Sequence, residues 1–245
     1  MADRDLNQKL IIDADKLSKT RFVIVGAGAI GSFTTIALSK MGMTVATVYD
    51  FDSLENHNFA NQMYPVSQID KPKVDALKAV AKDFGDCDIQ AIKGPWTPDN
   101  AVIGDIVISA VDNMDIRKAL WEYYKDRCSL FIDGRMGAYV IKVFGVDTKN
   151  LEARAYYEST LHSQAQAAPE RCGEKSIIYT VLLLSGFVVS QVKEWVMGGS
   201  GGYRPTAVIL DALNTILDKT YHVEPTYEAY EDVGEPGLEG VLPQP

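Results

Sequence analysis

The chain has 245 residues, 47% of them hydrophobic and 9% aromatic, which is enough to bury the core of one α/β domain and marginal for two. Its 33 acidic and 24 basic residues give a net charge of −9, which argues against a nucleic-acid-binding protein, because phosphate contacts need a basic surface. Three cysteines, Cys87, Cys128 and Cys172, lie far apart, so the sequence predicts neither a disulfide framework nor a structural zinc site and fits the reducing cytoplasm.

No membrane attachment is predicted. The N-terminus, Met1 to Asp5, is polar and is not followed by an apolar run, so we expect no signal peptide. The longest apolar stretch, Ile177 to Val192, is interrupted by polar residues and is shorter than the roughly 20 residues that a membrane span needs. We expect it to form a helix buried inside the protein or at a subunit contact.

Strands alternate with helices over the N-terminal half of the chain. Apolar runs predict strands at residues 21–26, 44–50, 89–92, 106–110 and 129–132. Helical spacing and turn composition predict helices at 5–19, from the turn after the first strand to about 41, at 73–84 and at 114–124, with an ordered loop at 52–65. Because such alternation builds parallel β-α-β units, the predicted fold is a Rossmann-like, doubly wound, mostly parallel α/β sheet.

The pattern changes after Gly137, where we expect an antiparallel extension of the sheet. The predicted elements are a strand at 139–146, a polar crossover loop at 149–176, a buried helix at 177–197, a glycine-rich joint or helix stop at 198–202, and a hairpin within 204–223 that pairs the runs 206–210 and 215–223. Residues 226–245 are acidic, with Pro and Gly, and predict a mobile tail. The chain is therefore expected to be one domain, 1–225, with its core at 20–147.

A glycine-rich turn follows the first predicted strand and opens a helix, as a G-x-G-x-x-G motif. It consists of Gly26-Ala27-Gly28-Ala29-Ile30-Gly31. The first glycine permits a tight turn, the second lets a phosphate approach the backbone, and the third allows close helix packing. Asp50 ends the second strand, where an acid can hold ribose hydroxyls. A turn made for packing alone is the alternative, and the motif by itself does not distinguish NAD, FAD and ATP.

A longer series of residues resembles the ThiF/MoeB/HesA family of ubiquitin-activating-enzyme-like adenylyltransferases. The series is Asp50-Phe51-Asp52 running to Asn58-Phe59-Ala60-Asn61-Gln62, then Lys71-Pro72-Lys73-Val74, then Asp112-Asn113 with Arg117. The resemblance covers about residues 20 to 147 and is looser at Asp211. It implies ATP as the nucleotide, and as the reaction an attack on its α-phosphate by the C-terminal carboxylate of a ubiquitin-like or sulfur-carrier protein or of a peptide. It also implies a homodimer.

The resemblance assigns roles to individual residues. Lys73 would contact the phosphates, Asp112 would help to hold Mg²⁺, and Asp50 would bind the ribose. The other implied nucleotide contacts are Gly26, Gly28, Ala29, Ile30, Gly31, Asp52, Asn58, Asn61, Gln62 and Asn113. Each assignment has a plainer alternative: Lys73 as a solvated surface charge, and Asp112-Asn113 as an ordinary helix N-cap.

The sequence departs from the family pattern at Asn61, where the family places an arginine before the glutamine. An asparagine supplies neither a permanent charge nor a guanidinium group to a triphosphate. The candidate substitutes are Arg135, Arg117, Arg4 and His57. Arg135 is favoured, because it lies near the C-terminal end of a predicted strand, which faces the ligand crevice in such sheets.

Cys172 is a candidate nucleophile for a second, transfer step, as in many relatives that pass the activated carboxylate to a cysteine in the crossover loop. Arg171 and Lys175 flank it and favour the thiolate, whereas Glu170 and Glu174 oppose it. An unreactive loop cysteine is an equal alternative. Cys87 and Cys128 are interpreted as packing residues.

Three functions remain in competition. An ATP-dependent adenylyltransferase agrees with most of the motifs. A nucleotide-binding pseudoenzyme or dimeric scaffold would explain the asparagine at position 61. An NAD-dependent oxidoreductase would need a hydride-transfer acid or base, and no obvious one follows residue 147.

Overall fold

The computed structural model of the chain describes residues 6–137, 140–166, 177–202 and 206–211. Within those residues one sheet contains seven strands: β1 (Phe22–Val25), β2 (Val45–Asp50), β3 (Asp88–Lys93), β4 (Ile106–Ser109), β5 (Leu130–Gly137), β6 (Val140–Asp147) and β7 (Thr206–Asp211). Their spatial order is β3-β2-β1-β4-β5-β6-β7. The first five pair in parallel, and β6 and β7 pair antiparallel.

Helices cover both faces of the sheet. The described helices are α1 (Ala14–Lys19), α2 (Ala29–Met41), α3 (Lys73–Gly85), α4 (Met114–Tyr124), α5 (Leu151–Ser159) and α6 (Ile178–Gly202). Alternate residues of β1 point to opposite faces, so Ile24 packs with α2, α3 and α6, whereas Val25 packs with α4 and α5. The predicted fold class, a doubly wound and mostly parallel sheet with an antiparallel extension, is confirmed.

The strand order reverses between β1 and β4, which are neighbours although β1 continues in sequence to β2 on its other side. In open α/β sheets such a reversal leaves a crevice beyond the carboxyl ends of the strands, where ligands bind. The glycine-rich turn after β1, Asp50 at the end of β2 and Asp112 after β4 all lie at this edge. We call it the functional edge of the sheet.

The N-terminal helix was predicted wrongly as one element over 5–19. The structure has a 3₁₀ turn at Leu6–Gln8 and then the short helix α1. The Asp13 side chain accepts a hydrogen bond from the Lys16 N–H and starts α1 there. Gln8 donates from Nε2 to the carbonyls of Lys40 and Met41, which ties the first turn to the end of α2 instead.

The segment 149–176 was predicted as a loop, but its first part is the helix α5. Asn150 caps α5 by accepting from the Ala153 N–H, and Tyr157 buries its ring against the sheet. One buried aromatic residue per two turns gives little periodicity to detect in the sequence. A 3₁₀ turn follows at Gln164–Gln166, and the rest of the predicted loop lies outside the described residues. The predicted loop at 52–65 likewise contains a 3₁₀ helix, Asn56–Ala60.

Helix α6 is longer than predicted, because it continues through the glycine run to Gly202. The prediction of a flexible joint or helix stop at 198–202 was therefore wrong, whereas the stretch 177–192, judged too short to span a membrane, is from residue 178 onward one part of this longer helix. The window Ile178–Gly198 is long and apolar enough to do so by length and composition, and 44% of it is buried inside the protein. One face of α6 packs on α2, β5 and β6, while Leu182 and Leu183 on the other face are about half exposed.

The predicted strand 206–210 is confirmed as β7, which pairs with β6. Its predicted hairpin partner, 215–223, and the acidic tail, 226–245, lie outside the described residues.

Candidate functional site

Two glycines of the turn after β1 are required by packing. Gly26 has a φ of 101°, in the left-handed region, and a Cβ added there would lie 2.4 Å from the Ala110 carbonyl oxygen. A Cβ on Gly31 would lie 1.9 Å from the Gly26 carbonyl oxygen. The turn therefore packs directly against the end of β4, which brings β1, α2 and β4 together at the functional edge.

Gly28 differs from both, because a Cβ added there meets no atom within 4 Å. Gly28 is also the N-cap residue of α2, and that helix has no side-chain cap within the described part of the chain. The N–H groups of its first turn begin beside this open space, and they carry the positive end of the helix dipole. The absence of a side chain at Gly28 leaves room for a phosphate to approach these groups.

The N-terminus of α4, at the same edge, is closed to ligands. The Asn113 Oδ1 accepts hydrogen bonds from the N–H groups of Asp115 and Ile116. Gln164 accepts a third, from the Met114 N–H at 2.8 Å. The N-cap alternative is thus correct for Asn113, whose side-chain oxygen is used inside the protein. Asp112, just before it, is exposed.

Asp50 joins the end of β2 to the glycine-rich turn. Its Oδ2 accepts from the Ala27 N–H at 2.7 Å, and its Oδ1 accepts from the Asp52 N–H at 2.8 Å. Burial raises the pKa of the Asp50 carboxyl, an effect that these hydrogen bonds and the charge of Lys73 oppose. The carboxylate lies beside the turn, where a ribose contact is possible.

Lys73 is buried and ion-paired, so its interpretation as a solvated charge is wrong. Its Nζ lies 2.7 Å from Asp52 Oδ2, and 8% of the lysine side chain is exposed against 47% of the aspartate. The Lys73 N–H also donates to the Asp52 carbonyl at 2.9 Å, and Ser53 and Pro72 form a β-bridge beside it. Lys73, Asp50 and Asp52 therefore form one cluster in which a single ammonium group faces two carboxylates.

Tyr64 is a contact of the turn that the sequence did not reveal. Its hydroxyl donates to the Ala27 carbonyl at 2.5 Å, from a buried position. The next residue back, Met63, donates its N–H to the Ser32 Oγ at 3.0 Å. The loop after β2 is thereby fastened over the start of α2. A tyrosine in a loop carries no sequence signal for such a contact.

The polar residues of this loop have different surroundings. Asn58 is buried, and its Oδ1 accepts from the Glu55 N–H in a capping box, so that oxygen is used locally. Asn61 directly follows the 3₁₀ helix, and its N–H donates a hydrogen bond to the Asn58 carbonyl. The buried Oε1 of Gln62 has no hydrogen-bond partner among the described residues. The buried Oε1 of Gln68, later in the same loop, has no partner among the described residues either.

Two of the three arginines proposed to replace the missing loop arginine, Arg117 and Arg135, are used inside the protein. Arg117 is buried with its Nε 2.6 Å from Asp133 Oδ1. Arg135 places its Nε 2.6 Å from Asp133 Oδ2 and donates two further hydrogen bonds to Thr160, at 3.0 Å each. The structure therefore gives Arg135 an internal set of partners in place of the phosphate contact predicted for it.

The remaining candidates add little to the site. His57 is exposed, with its Nδ1 3.4 Å from the Glu55 carboxylate. Arg4 and Cys172 lie outside the described residues. Cys87 and Cys128 are buried, as predicted for packing residues, and burial raises the pKa of the Cys128 thiol to about 12.

The match to a known family covers most of the chain. The family model described as "ThiF family" matches residues 3–226. The chain belongs to the ThiF family. The resemblance drawn from the ordered series of polar residues is thereby confirmed.

Two curated relatives of this ThiF-family chain carry the name tRNA threonylcarbamoyladenosine dehydratase. tRNA threonylcarbamoyladenosine dehydratase 2 from Saccharomyces cerevisiae is 30% identical over 122 residues, which is 44% of this chain and 26% of that protein. The Bacillus subtilis protein is 29% identical over 85 residues, which is 34% of each chain. The chain therefore matches only about a quarter to a third of the length of these relatives.

Two solved structures share the fold. PaaA superimposes with a TM-score of 0.66 at 16% sequence identity, covering 83% of this chain and 64% of PaaA. E. coli MccB, crystallised with ATP, superimposes with a TM-score of 0.62 at 14% identity, covering 81% of this chain and 62% of MccB. At such identities the likeness establishes the fold.

Alanine substitution of Gly31 and of Gly28 should have different effects, one on stability and the other mainly on ATP affinity. Gly31→Ala forces a Cβ into backbone and should cost about 3 kcal/mol or more of stability, as overpacking does. Gly28→Ala should cost on the order of 1 kcal/mol as a poorer N-cap, yet lower ATP affinity roughly tenfold or more by filling the phosphate space. Thermal unfolding and ATP titration measure both; a Gly28→Ala protein that binds ATP normally would contradict this geometry.

The burial of Cys87 and Cys128 predicts the labelling pattern of the native protein. Both thiols should resist iodoacetamide at pH 8, because each is buried and the raised pKa of Cys128 leaves almost no thiolate there. Any rapid labelling of the native protein should therefore be at Cys172, the remaining cysteine, and Cys172→Ser should remove it. Mass spectrometry of the native and urea-unfolded proteins gives the comparison. Rapid modification of Cys128 in the folded Cys172→Ser variant would be inconsistent with its burial.

Proposed function

We propose that the protein activates a carboxylate with ATP, as an acyl-adenylate, with release of pyrophosphate. The observation that carries the proposal is the uncapped N-terminus of α2 at Gly28, at the same edge of the sheet as the buried cation of Lys73. The first feature suits a phosphate, and the second suits the negative charge that develops on departing pyrophosphate. Membership of the ThiF family supports the same reaction class.

Each polar group at the functional edge has a proposed role in the reaction. The N–H groups that follow Gly28 bind phosphate, and the Asp50 carboxylate accepts from ribose hydroxyls. Lys73 exchanges its partner Asp52 for a phosphate oxygen, which a single ion pair of 2.7 Å to a half-exposed carboxylate permits. The exposed carboxylate of Asp112 offers the hard oxygen ligand that Mg²⁺ prefers. ATP supplies the activated phosphorus, and the protein supplies position and charge.

We propose a polypeptide C-terminus as the carboxylate. E. coli MccB, which shares the fold, has been crystallised with the MccA peptide. The curated relatives are named for a reaction on tRNA, but the net charge of −9 disfavours a polyanionic substrate, since affinity for tRNA rests on neutralising phosphates. Transfer of the activated group to Cys172 is a further part of the proposal that rests on the family resemblance.

A binding-only scaffold is the second candidate. It is favoured by Asn61 in place of a loop arginine, together with the internal pairing of Arg117 and Arg135. Loss of a transition-state arginine lowers phosphoryl-transfer rates by about 10³-fold or more in other enzymes. A protein that retains Gly28 and Lys73 but has lost that charge would bind ATP and turn over slowly or not at all.

Pyrophosphate exchange tests the activity. Wild-type protein with ATP–Mg²⁺ should incorporate labelled pyrophosphate into ATP when a peptide with a free C-terminus is present, and Lys73→Ala should reduce the rate at least 100-fold, because the buried cation is lost. Lys71→Ala, which removes an exposed lysine two residues away, is the matched control. The same assay is run with tRNA that carries a carboxylate side chain.

The outcomes separate the candidates. Pyrophosphate exchange that depends on tRNA and not on peptides would mean that the substrate is tRNA, contrary to the proposal. ATP binding without exchange for any carboxylate would favour the scaffold. Tight binding of NAD⁺ together with no measurable binding of ATP would overturn the proposal altogether.

We also propose that the chain forms a homodimer through the outer face of α6. Its N-terminal turns expose the apolar side chains of Tyr179, Leu182 and Leu183, each about 40–50% exposed, which is a large apolar surface for a monomer. Light scattering should give a mass near twice the 26.9 kDa of one chain, and Leu182→Glu should halve it. A monomeric wild type would refute this proposal while leaving the adenylation proposal standing.

A further inference from the structure

Asp133 is a fully buried carboxylate that the adenylation reaction, as described above, does not use. Its Oδ1 lies 2.6 Å from the Arg117 Nε, and its Oδ2 lies 2.6 Å from the Arg135 Nε and accepts from the Tyr157 hydroxyl at 3.0 Å. A carboxylate removed from water is costly unless it is paired and hydrogen-bonded, and here two guanidinium groups pair with it. We call Asp133, Arg117 and Arg135 the Asp133 hub.

One arm of the hub reaches the residue before Asp112. The Arg117 guanidinium donates from Nη2 to the Val111 carbonyl and, at 3.4 Å, to the Gly134 carbonyl. Asp112 itself is exposed, whereas the backbone that leads into it is fastened to β5 by a buried side chain. The position of the Asp112 carboxylate relative to the glycine-rich turn therefore depends on Arg117.

The other arm reaches the start of the crossover segment. Arg135 donates to the carbonyl and to the Oγ1 of Thr160, at 3.0 Å each, and its guanidinium lies over the Phe144 ring, 4.6 Å from the centroid. Four residues further on, Gln164 accepts from the Met114 N–H and donates its own N–H to Asp115 Oδ1 at 3.1 Å. The segment from Thr160 to Gln164 thus ends on the first turn of α4, next to Asp112.

The structure assigns the Asp133 hub a positioning role: it holds the backbone before Asp112 and the Thr160–Gln164 segment against one another at the functional edge. This inference rests on the proposed function for its catalytic consequence. A displacement of about 1 Å at a reacting group can lower the rate 100-fold. Because the Asp133 hub holds the backbone before Asp112, its loss should lower turnover more than ATP affinity, which depends on the glycine-rich turn. Arg135 is therefore a positioning residue.

Arg135→Lys is the test variant, because lysine keeps a charge beside Asp133 but lacks the planar fork that contacts Thr160 twice. Arg154→Lys is the matched control. Arg154 also anchors α5, through Asp126 Oδ1 at 2.9 Å and the Thr148 carbonyl at 3.2 Å, but it does not contact Thr160 or Asp133. Each variant keeps its charge and loses contacts of a guanidinium with one helix, and only Arg135 belongs to the hub.

Two readouts are expected to separate the variants. Backbone hydrogen exchange in peptides covering 112–118 and 160–166 should speed up about tenfold in Arg135→Lys and stay unchanged in Arg154→Lys. With a carboxylate substrate, Arg135→Lys should lower kcat for pyrophosphate exchange at least tenfold while KM for ATP stays within about threefold, and Arg154→Lys should change neither.

Unchanged hydrogen exchange in Arg135→Lys would overturn the inference, and so would equal effects of the two variants on kcat. The hydrogen-exchange comparison needs no substrate. It therefore decides the positioning role even if the wild-type protein activates no carboxylate, a result that would overturn the proposed function alone.

Discussion

The arrangement of the site depends on how Ala27 is held. Its N–H donates to Asp50, and its carbonyl accepts from Tyr64, so both polar groups of the residue between the first two glycines are fixed by side chains. Two different elements supply those side chains: the end of β2 and the loop after it. A turn held from both sides fixes the start of α2, where no side-chain cap is present among the described residues.

That constraint has an electrostatic counterpart. Two carboxylates, Asp50 and Asp52, surround one buried ammonium group, and the exposed Asp112 follows β4 at the same edge of the sheet. Among these described groups, the end of α2 and Lys73 are the ones that attract a polyphosphate, and the three carboxylates repel it. Binding of ATP there would therefore have to displace Asp52 from Lys73 and would require a divalent cation between the phosphates and the carboxylates. The half-exposed carboxylate of Asp52 makes this ion pair easier to exchange than one between two buried groups.

The fold and the polar residues of the edge were predictable from the sequence, because both rest on local patterns. Strands of continuous apolar residues, the spacing of glycines from Gly26 to Gly31, and acids that end strands are visible in a single chain. The contacts that complete the site are not local. Tyr64 reaches Ala27 across 37 positions of sequence, and Gln164 reaches Met114 across 50. No propensity or period encodes such pairs, so they appear only once the chain is folded.

The extent of α6 and the existence of α5 were predicted wrongly, because in both places tertiary contacts outweigh the preference of the local composition. The glycines at 198–202 favour a helix stop, yet α6 runs through them, since the helix that precedes them packs along its length on α2 and β5. Around Tyr157 the polar composition favours a loop, yet that one ring, packed against Trp121 and Phe131, anchors a helix. In both places, burial of a few apolar side chains outweighs roughly 1 kcal/mol or less per residue of intrinsic preference.

The missing loop arginine and the Asp133 hub bear on the same question. Arg135 was expected at the phosphates because it is a cation near the end of β5, but a neighbouring buried carboxylate competes for it. Asp133 holds both Arg117 and Arg135 at 2.6 Å, and removing either arginine would leave its charge partly unpaired in the interior. Because that cost is large, neither arginine is free to move to a ligand. Among the described residues, Lys73 is the buried cation that remains at this edge, whereas Arg4, the third candidate arginine, lies outside them.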